Sequence, residues 1–285
     1  MIYIFFSICC SVFVSVLLKL AKRYKIDTTQ AIAWNYSIAA LLTWIFFRPQ
    51  IPSINAMPLQ TYVVLGILLP SLFVILALSV RYTGIVRTDI AQRLSLFIPV
   101  LAAFFIFKEA NTTIKNIGIS VAFAAIICSV PWQKQDNSKT FSSKWIYPLL
   151  VFIGMGIIDV LFKDLSKIST IPFTTSLLII FILAFALSIS VLLYLFLFKK
   201  SRFAFINLIC GWILGIGNFG NIFFYMKAHQ ALSKQPSLVF SAMNIGVIIL
   251  GSLVGLFIFK EKLSRLNYIG IVLALISIVI FSFSK

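Results

Sequence analysis

The sequence predicts an all-α integral membrane protein: ten transmembrane helices arranged as two inverted five-helix repeats around a central cavity. Three observations carry this. Hydrophobic residues make up 61% of the chain and charged residues only 11%, against roughly half apolar and a quarter charged in soluble domains. Ten apolar runs have the length needed to cross a hydrocarbon core about 30 Å thick. The pentapeptide Phe-Ile-Phe-Lys-Glu occurs at 105–109 and again at 257–261, and each copy is followed nine residues after its Glu by a glycine, Gly118 and Gly270.

Taken in order, the predicted spans are 2–20, 30–47, 61–80, 89–107, 114–130, 145–162, 174–198, 205–226, 237–259 and 266–283. The first begins at Ile2 with no basic residue before it, unlike a secretory signal, and is expected to be a retained span. The second is followed by Pro49, Pro52 and Pro58. Span 4 contains Pro99 where its counterpart, span 9, has Gly251, so a kink is expected on one side only. Pro172 precedes span 7 and Pro236 precedes span 9. One polar stretch, 131–144, divides residues 1–130 from residues 145–285. Five spans on each side force the halves to enter the membrane in opposite senses. Two shorter matches recur in order: Val16-Leu17-Leu18-Lys19 with Val160-Leu161-Phe162-Lys163, and Leu65-Gly66-Ile67 with Leu214-Gly215-Ile216.

The net charge of +17 comes from 24 Lys and Arg residues against 7 acids. The basic residues lie mostly in short tracts between apolar runs, where they meet headgroups, which argues against nucleic acid as a partner. Sixteen lie nearest the loops after odd spans and 8 nearest the even loops and C-terminus. That bias places both termini outside the cytoplasm. The four cysteines lie in apolar runs and the chain has one histidine, His229. No metal site, disulfide framework or cofactor is expected. No GxSG or HExxH motif is present, and an enzyme is not expected.

Ionisable and amide side chains inside spans are the candidate site. Asp89, Gln92 and Arg93 share one wedge of span 4, and Asp89 and Arg93 have the favourable i,i+4 order for an ion pair. Asn244 falls in the matching wedge of span 9. Asn218, Asn221 and Tyr225 share a face of span 8, and Asn35 lies in span 2. All are expected to bind substrate, with Asp89 and Asp159 as the acids able to carry a proton. Plainer readings stand beside these. Gly251 and Gly255 have the GxxxG spacing that packs helices. Lys19 and Lys163 can snorkel to the interface. Glu109 and Glu261 read as anchors in turns, and His229 as a loop residue.

The paired segments running from Pro99 through Phe107-Lys108-Glu109 to Gly118, and from Gly251 through Phe259-Lys260-Glu261 to Gly270, resemble the drug/metabolite transporter superfamily in its ten-span EamA-type form. The resemblance covers nearly the whole chain and implies a multi-pass protein of the cytoplasmic or inner membrane. It also implies efflux or exchange of small metabolites such as amino acids, with termini inside, opposite to the charge bias. The expected partners are a small-molecule substrate and membrane lipid, and a homodimer is compatible with them. The alternatives are efflux of drugs or cationic compounds, and a non-transporting membrane assembly or lipid-handling protein.

Overall fold

The computed structural model describes residues 1–24, 26–50, 57–83, 85–110, 112–129, 145–168, 170–199, 203–260 and 264–282, and among these every regular element is helical. The helices are α1 (Ile2–Arg23), α2 (Thr28–Phe47), α3 (Leu59–Thr83), α4 (Ile85–Leu94), α5 (Phe97–Phe105), α6 (Thr113–Ser129), α7 (Ile146–Lys167), α8 (Phe173–Lys199), α9 (Phe205–Ala231), α10 (Pro236–Phe257) and α11 (Arg265–Ser282). Eight stretches are long and apolar enough to cross a membrane, α4 and α5 together forming one of them, and α6 and α11 contribute two shorter apolar segments. Large apolar side chains such as Phe13, Leu41, Ile67, Leu149, Leu193, Ile216 and Ile276 stand exposed along the helices. Such a surface suits lipid, where helices satisfy their own backbone groups. The chain is a multi-pass helical membrane protein. The polar stretch 131–144 and Glu261 lie outside the described residues.

Local sequence explains most boundaries. Asp27 caps α2, accepting from the backbone N–H of Thr29 (2.9 Å), while the Gln30 amide returns to the Asp27 carboxylate at 3.0 Å. The Asp27 N–H, which takes the return bond in a capping box, donates instead to Asn207 Oδ1 of α9 at 3.2 Å. Span 4 is not one helix as expected but two, broken at Ser95 and Leu96. Pro99 has no N–H to donate to Ser95, and its ring crowds that carbonyl; the N–H of Ile98 takes Ser95 O instead, at 3.0 Å. The Gly251 counterpart imposes no such break, and α10 runs unbroken.

The two pentapeptides end their helices in the same way. Lys108 and Lys260 adopt φ of 52° and 53°, a left-handed conformation that costs a non-glycine residue about 1 kcal/mol. Ahead of each, two successive N–H groups, of Ile106 and Phe107 or of Ile258 and Phe259, converge on one carbonyl, Ala102 O or Val254 O. The rings of Phe107 and Phe259 each carry a lysine from the other half, Lys167 at 4.1 Å and Lys19 at 3.8 Å.

Packing between the halves uses small residues at matched positions. At Gly66 of α3 an added Cβ would lie 2.7 Å from Leu183 Cβ of α8, and at Gly215 of α9 it would lie 2.5 Å from the Asn35 carbonyl oxygen of α2. The helices α6 and α11 lie antiparallel: Ser277 Oγ donates to Gly118 O at 2.9 Å, while Gly270 sits against Ser129 at the other end. Gly251 has no neighbour within 4 Å of its missing Cβ. The GxxxG packing expected of Gly251 and Gly255 therefore does not form at Gly251.

Candidate functional site

Two predicted site residues meet where α7 and α9 cross. The α7 helix continues to Lys167, five residues beyond the predicted end of its span, so Asp159 lies well inside it. Tyr225 of α9 donates its hydroxyl to Asp159 Oδ1 at 2.9 Å. One turn further along α9, His229 is fully buried, with its ring edge-on to Tyr225 at 4.6 Å between centroids and against Phe240 of α10 at 4.7 Å. Neither ring nitrogen has a hydrogen-bond partner among the described residues. An imidazole carries one donor and one acceptor when neutral, and each buried unmet group costs about 1–3 kcal/mol. The expectation of a loop histidine is thus corrected. The α9 helix also outruns its predicted span, to Ala231, and carries His229 into the bundle.

The second correction concerns Lys163. It is among the largest fully buried side chains rather than a snorkelling one. Its ammonium donates to His229 O (3.3 Å) and Ser233 O (3.1 Å). Those carbonyls belong to the end of α9, where unpaired backbone acceptors and the negative pole of the helix favour a cation.

Glu109 performs the opposite service for α10. Its buried carboxylate accepts from Ser237 N at 2.8 Å and from Ser237 Oγ at 2.7 Å, and pairs with Lys115 at 3.1 Å. Gln235, at the N-cap position, makes no side-chain cap, and Pro236 supplies no donor. Glu109 from a distant turn therefore takes the place of the local cap, in keeping with its expected anchoring role.

The remaining predicted residues fall into separate places. Asp89 and Arg93 form the expected pair, Arg93 Nε to Asp89 Oδ2 at 2.8 Å, with Gln92 half-buried beside them on α4. The α4 helix packs on α7, α3 and α6. Asn221 accepts from Ser7 Oγ of α1 at 2.8 Å. Asn35 is fully buried with both ends of its amide unpartnered among the described residues, and Asn218 likewise leaves its amide nitrogen unpartnered. These two lie on α2 and α9, which Gly211 and Gly215 bring close together. Asn244 is half-buried and donates to Phe240 O of its own helix at 3.1 Å.

Two cavities stand out. One of about 460 Å³ lies among α1, α2 and α9, lined by Leu17, Ala21, Tyr24, Ile26, Cys210 and Leu214 among others. One of about 140 Å³ lies among α2, α3 and α8, near Thr29, Pro70 and Ser188. No predicted site residue lines either cavity. Helical spacing carried through the charges, with Asp159, Lys163 and Lys167 four apart and Tyr225 four before His229, is the sequence signal that places Lys163 and His229 in the bundle.

Fold and site together define a multi-pass helical membrane protein with buried ionisable and amide groups at its helix crossings. The chain belongs to one family with a Haemophilus influenzae (strain ATCC 51907 / DSM 11121 / KW20 / Rd) protein described as "Uncharacterized protein". It is 42% identical to that protein over 281 residues, covering 96% of this chain and 94% of that one. No family model matches the chain. A solved structure described as "Crystal structure of protein" shares the fold, with a TM-score of 0.76 at 14% identity over 99% of this chain and 96% of that one.

Proposed function

We propose that the protein is a secondary transporter of the drug/metabolite transporter type, in its ten-span EamA-like form. In this reading two opposed five-span halves move a small polar or amphipathic metabolite across the cytoplasmic or inner membrane by alternating access. Export of an amino acid or related compound is the leading form. The observation that carries the reading is that close contacts come in exchanged pairs. Gly66 meets the second helix of the other half, and Gly215 returns the contact. Gly118 and Ser277 answer Gly270 and Ser129 along two antiparallel helices. Seams lined by small residues let one half rock on the other without unpicking large side chains.

Asp89 and Arg93 can face the charged ends of a zwitterion once their mutual pair opens. Gln92, Asn35, Asn218, Asn221 and Asn244 can bond its polar groups, and Tyr225 can stack on its side chain. Unpartnered amides at Asn35 and Asn218 support this role, since such groups are costly unless a ligand or water meets them. The drive is an ion gradient or exchange, because the sequence has no phosphate-binding loop. The apolar cavity among α1, α2 and α9 favours a second reading, a lipid-handling protein. Proteoliposomes loaded with labelled amino acids, nucleosides and cationic drugs, with and without a pH gradient, separate the two. Movement of a polar compound that is lost in the combined Arg93→Ala and Asn218→Ala variant supports transport that uses these residues. Lipid extraction with no movement of any solute supports the second.

A further inference from the structure

We infer that Asp159, Tyr225 and His229 form a proton-binding centre, and that the ion coupled to transport is a proton taken up on Asp159. The inference rests on the transport reading above. Geometry carries it in three parts. The Asp159 carboxyl is half-buried and takes the Tyr225 hydroxyl at 2.9 Å, so the pair ties α7 to α9 through one hydrogen bond, charge-assisted when the acid is ionised. His229, in ring contact with Tyr225 and Phe240, is fully buried, and its two nitrogens have no hydrogen-bond partner among the described residues. Lys163 is spent on the α9 carbonyls rather than on Asp159, which leaves the carboxylate without a cationic partner on its own helix face. Aligning Lys19 with Lys163 and Gly66 with Gly215 puts Ser15, Leu76 and Val80 at the matching places of the first half. The centre therefore exists once, not twice.

On the helices packed against α7, the ionisable groups of α3 and α4 are engaged elsewhere, while Tyr36 of α2, which packs on α9, is fully buried with its hydroxyl unpartnered among the described residues. On α3, Tyr62 bonds Ser176 at 2.8 Å and the Arg81 guanidinium lies over the Tyr82 ring. On α4, Asp89 and Arg93 hold each other and Arg87 lies over the Trp145 ring. The α5 helix carries no ionisable side chain, α8 carries Tyr194 and ends at Lys199, and Lys227 of α9 points to the rings of Tyr3 and Phe223. When a proton from one aqueous side joins Asp159, the bond from Tyr225 changes from a charged to a neutral one, roughly half as strong. The α7–α9 tie loosens, the halves rock, and the proton leaves to the other side.

The single histidine makes a direct test possible. Full-length protein with ¹⁵N-labelled histidine, purified in nanodiscs through a histidine-free tag, gives one imidazole signal. That signal is followed from about pH 3 to about pH 9, which brackets ordinary carboxylate and imidazole titration. The expected result is a titration step that disappears in Asp159→Asn, alters in Tyr225→Phe and persists in Asp89→Asn. A step unchanged in folded Asp159→Asn, or no step at all, overturns the proposal. In proteoliposomes, transport that ignores the pH gradient also overturns it while leaving the transporter reading intact. A normal titration pattern with no movement of any solute removes the transporter reading, and with it proton coupling.

Discussion

Alanine substitution at Gly215, compared with the same change at Gly251, isolates the cost of close helix packing. At Gly215 the new methyl carbon would sit 2.5 Å from the Asn35 carbonyl oxygen and 3.0 Å from Asn35 Cα, both backbone atoms that cannot rotate away. Carbon and oxygen want well over 3 Å, so α2 and α9 must part by the better part of an ångström. Overpacking of this kind costs about 1–3 kcal/mol. At Gly251 nothing lies within 4 Å, so no such term arises. Alanine replaces glycine inside a helix in both variants, and the propensity gain of up to about 1 kcal/mol is common to both. The difference between them is therefore the packing term, about fivefold to about 150-fold in the unfolding equilibrium. Gly66→Ala should behave like Gly215→Ala, because its methyl would meet Leu183 Cβ at 2.7 Å. Unfolding in mixed micelles at rising SDS fraction, followed by tryptophan fluorescence, gives the ranking. Equal stability for Gly215→Ala and Gly251→Ala would refute the claim that these glycines set the seam between the halves.

Glu109→Gln removes the charge that holds both Ser237 and the buried Lys115, and the ammonium, left to the Ala110 carbonyl at 3.1 Å with no counter-charge from Glu109, should cost about 3 kcal/mol by the same unfolding assay. Adding Lys115→Met to that variant should recover part of the loss, and no recovery would assign the effect to the α10 cap alone. The Asp89–Arg93 pair keeps 29% and 25% of its side-chain surface exposed, so Arg93→Gln should cost at most about 0.5 kcal/mol. A tenfold loss of transport at near-normal stability is the outcome the binding role requires, and unchanged transport would remove the pair from the site. With Cys9, Cys10 and Cys128 replaced by serine, Cys210 should react with an apolar maleimide faster than with a charged one, because apolar walls surround it in the α1–α2–α9 cavity. Equal rates, followed by mass spectrometry, would mean the cavity opens to water.

What the sequence made legible is what depends on neighbours along the chain. The repeated pentapeptide produces the same helix end twice, down to left-handed lysines at 108 and 260. Pro99 breaks its helix and Gly251 does not, because a missing N–H acts within one turn. The lengths of α7 and α9 were not legible, since a charge after an apolar run reads as the end of a span. Whether Lys163 ends a helix or continues into the bundle is decided by the carbonyls of His229 and Ser233, dozens of residues away. Once those acceptors are supplied, the cost of burying an ammonium falls and the helix can run on. The same logic covers Glu109: its carboxylate is buried because α10 arrives without a cap of its own. Buried charges here are complements to helix ends, and only the assembled bundle says which end each one meets. Asp159 differs from both. Its partner is a neutral hydroxyl rather than a helix end, and under the proton-coupling proposal that difference separates a group placed for chemistry from the two placed for structure.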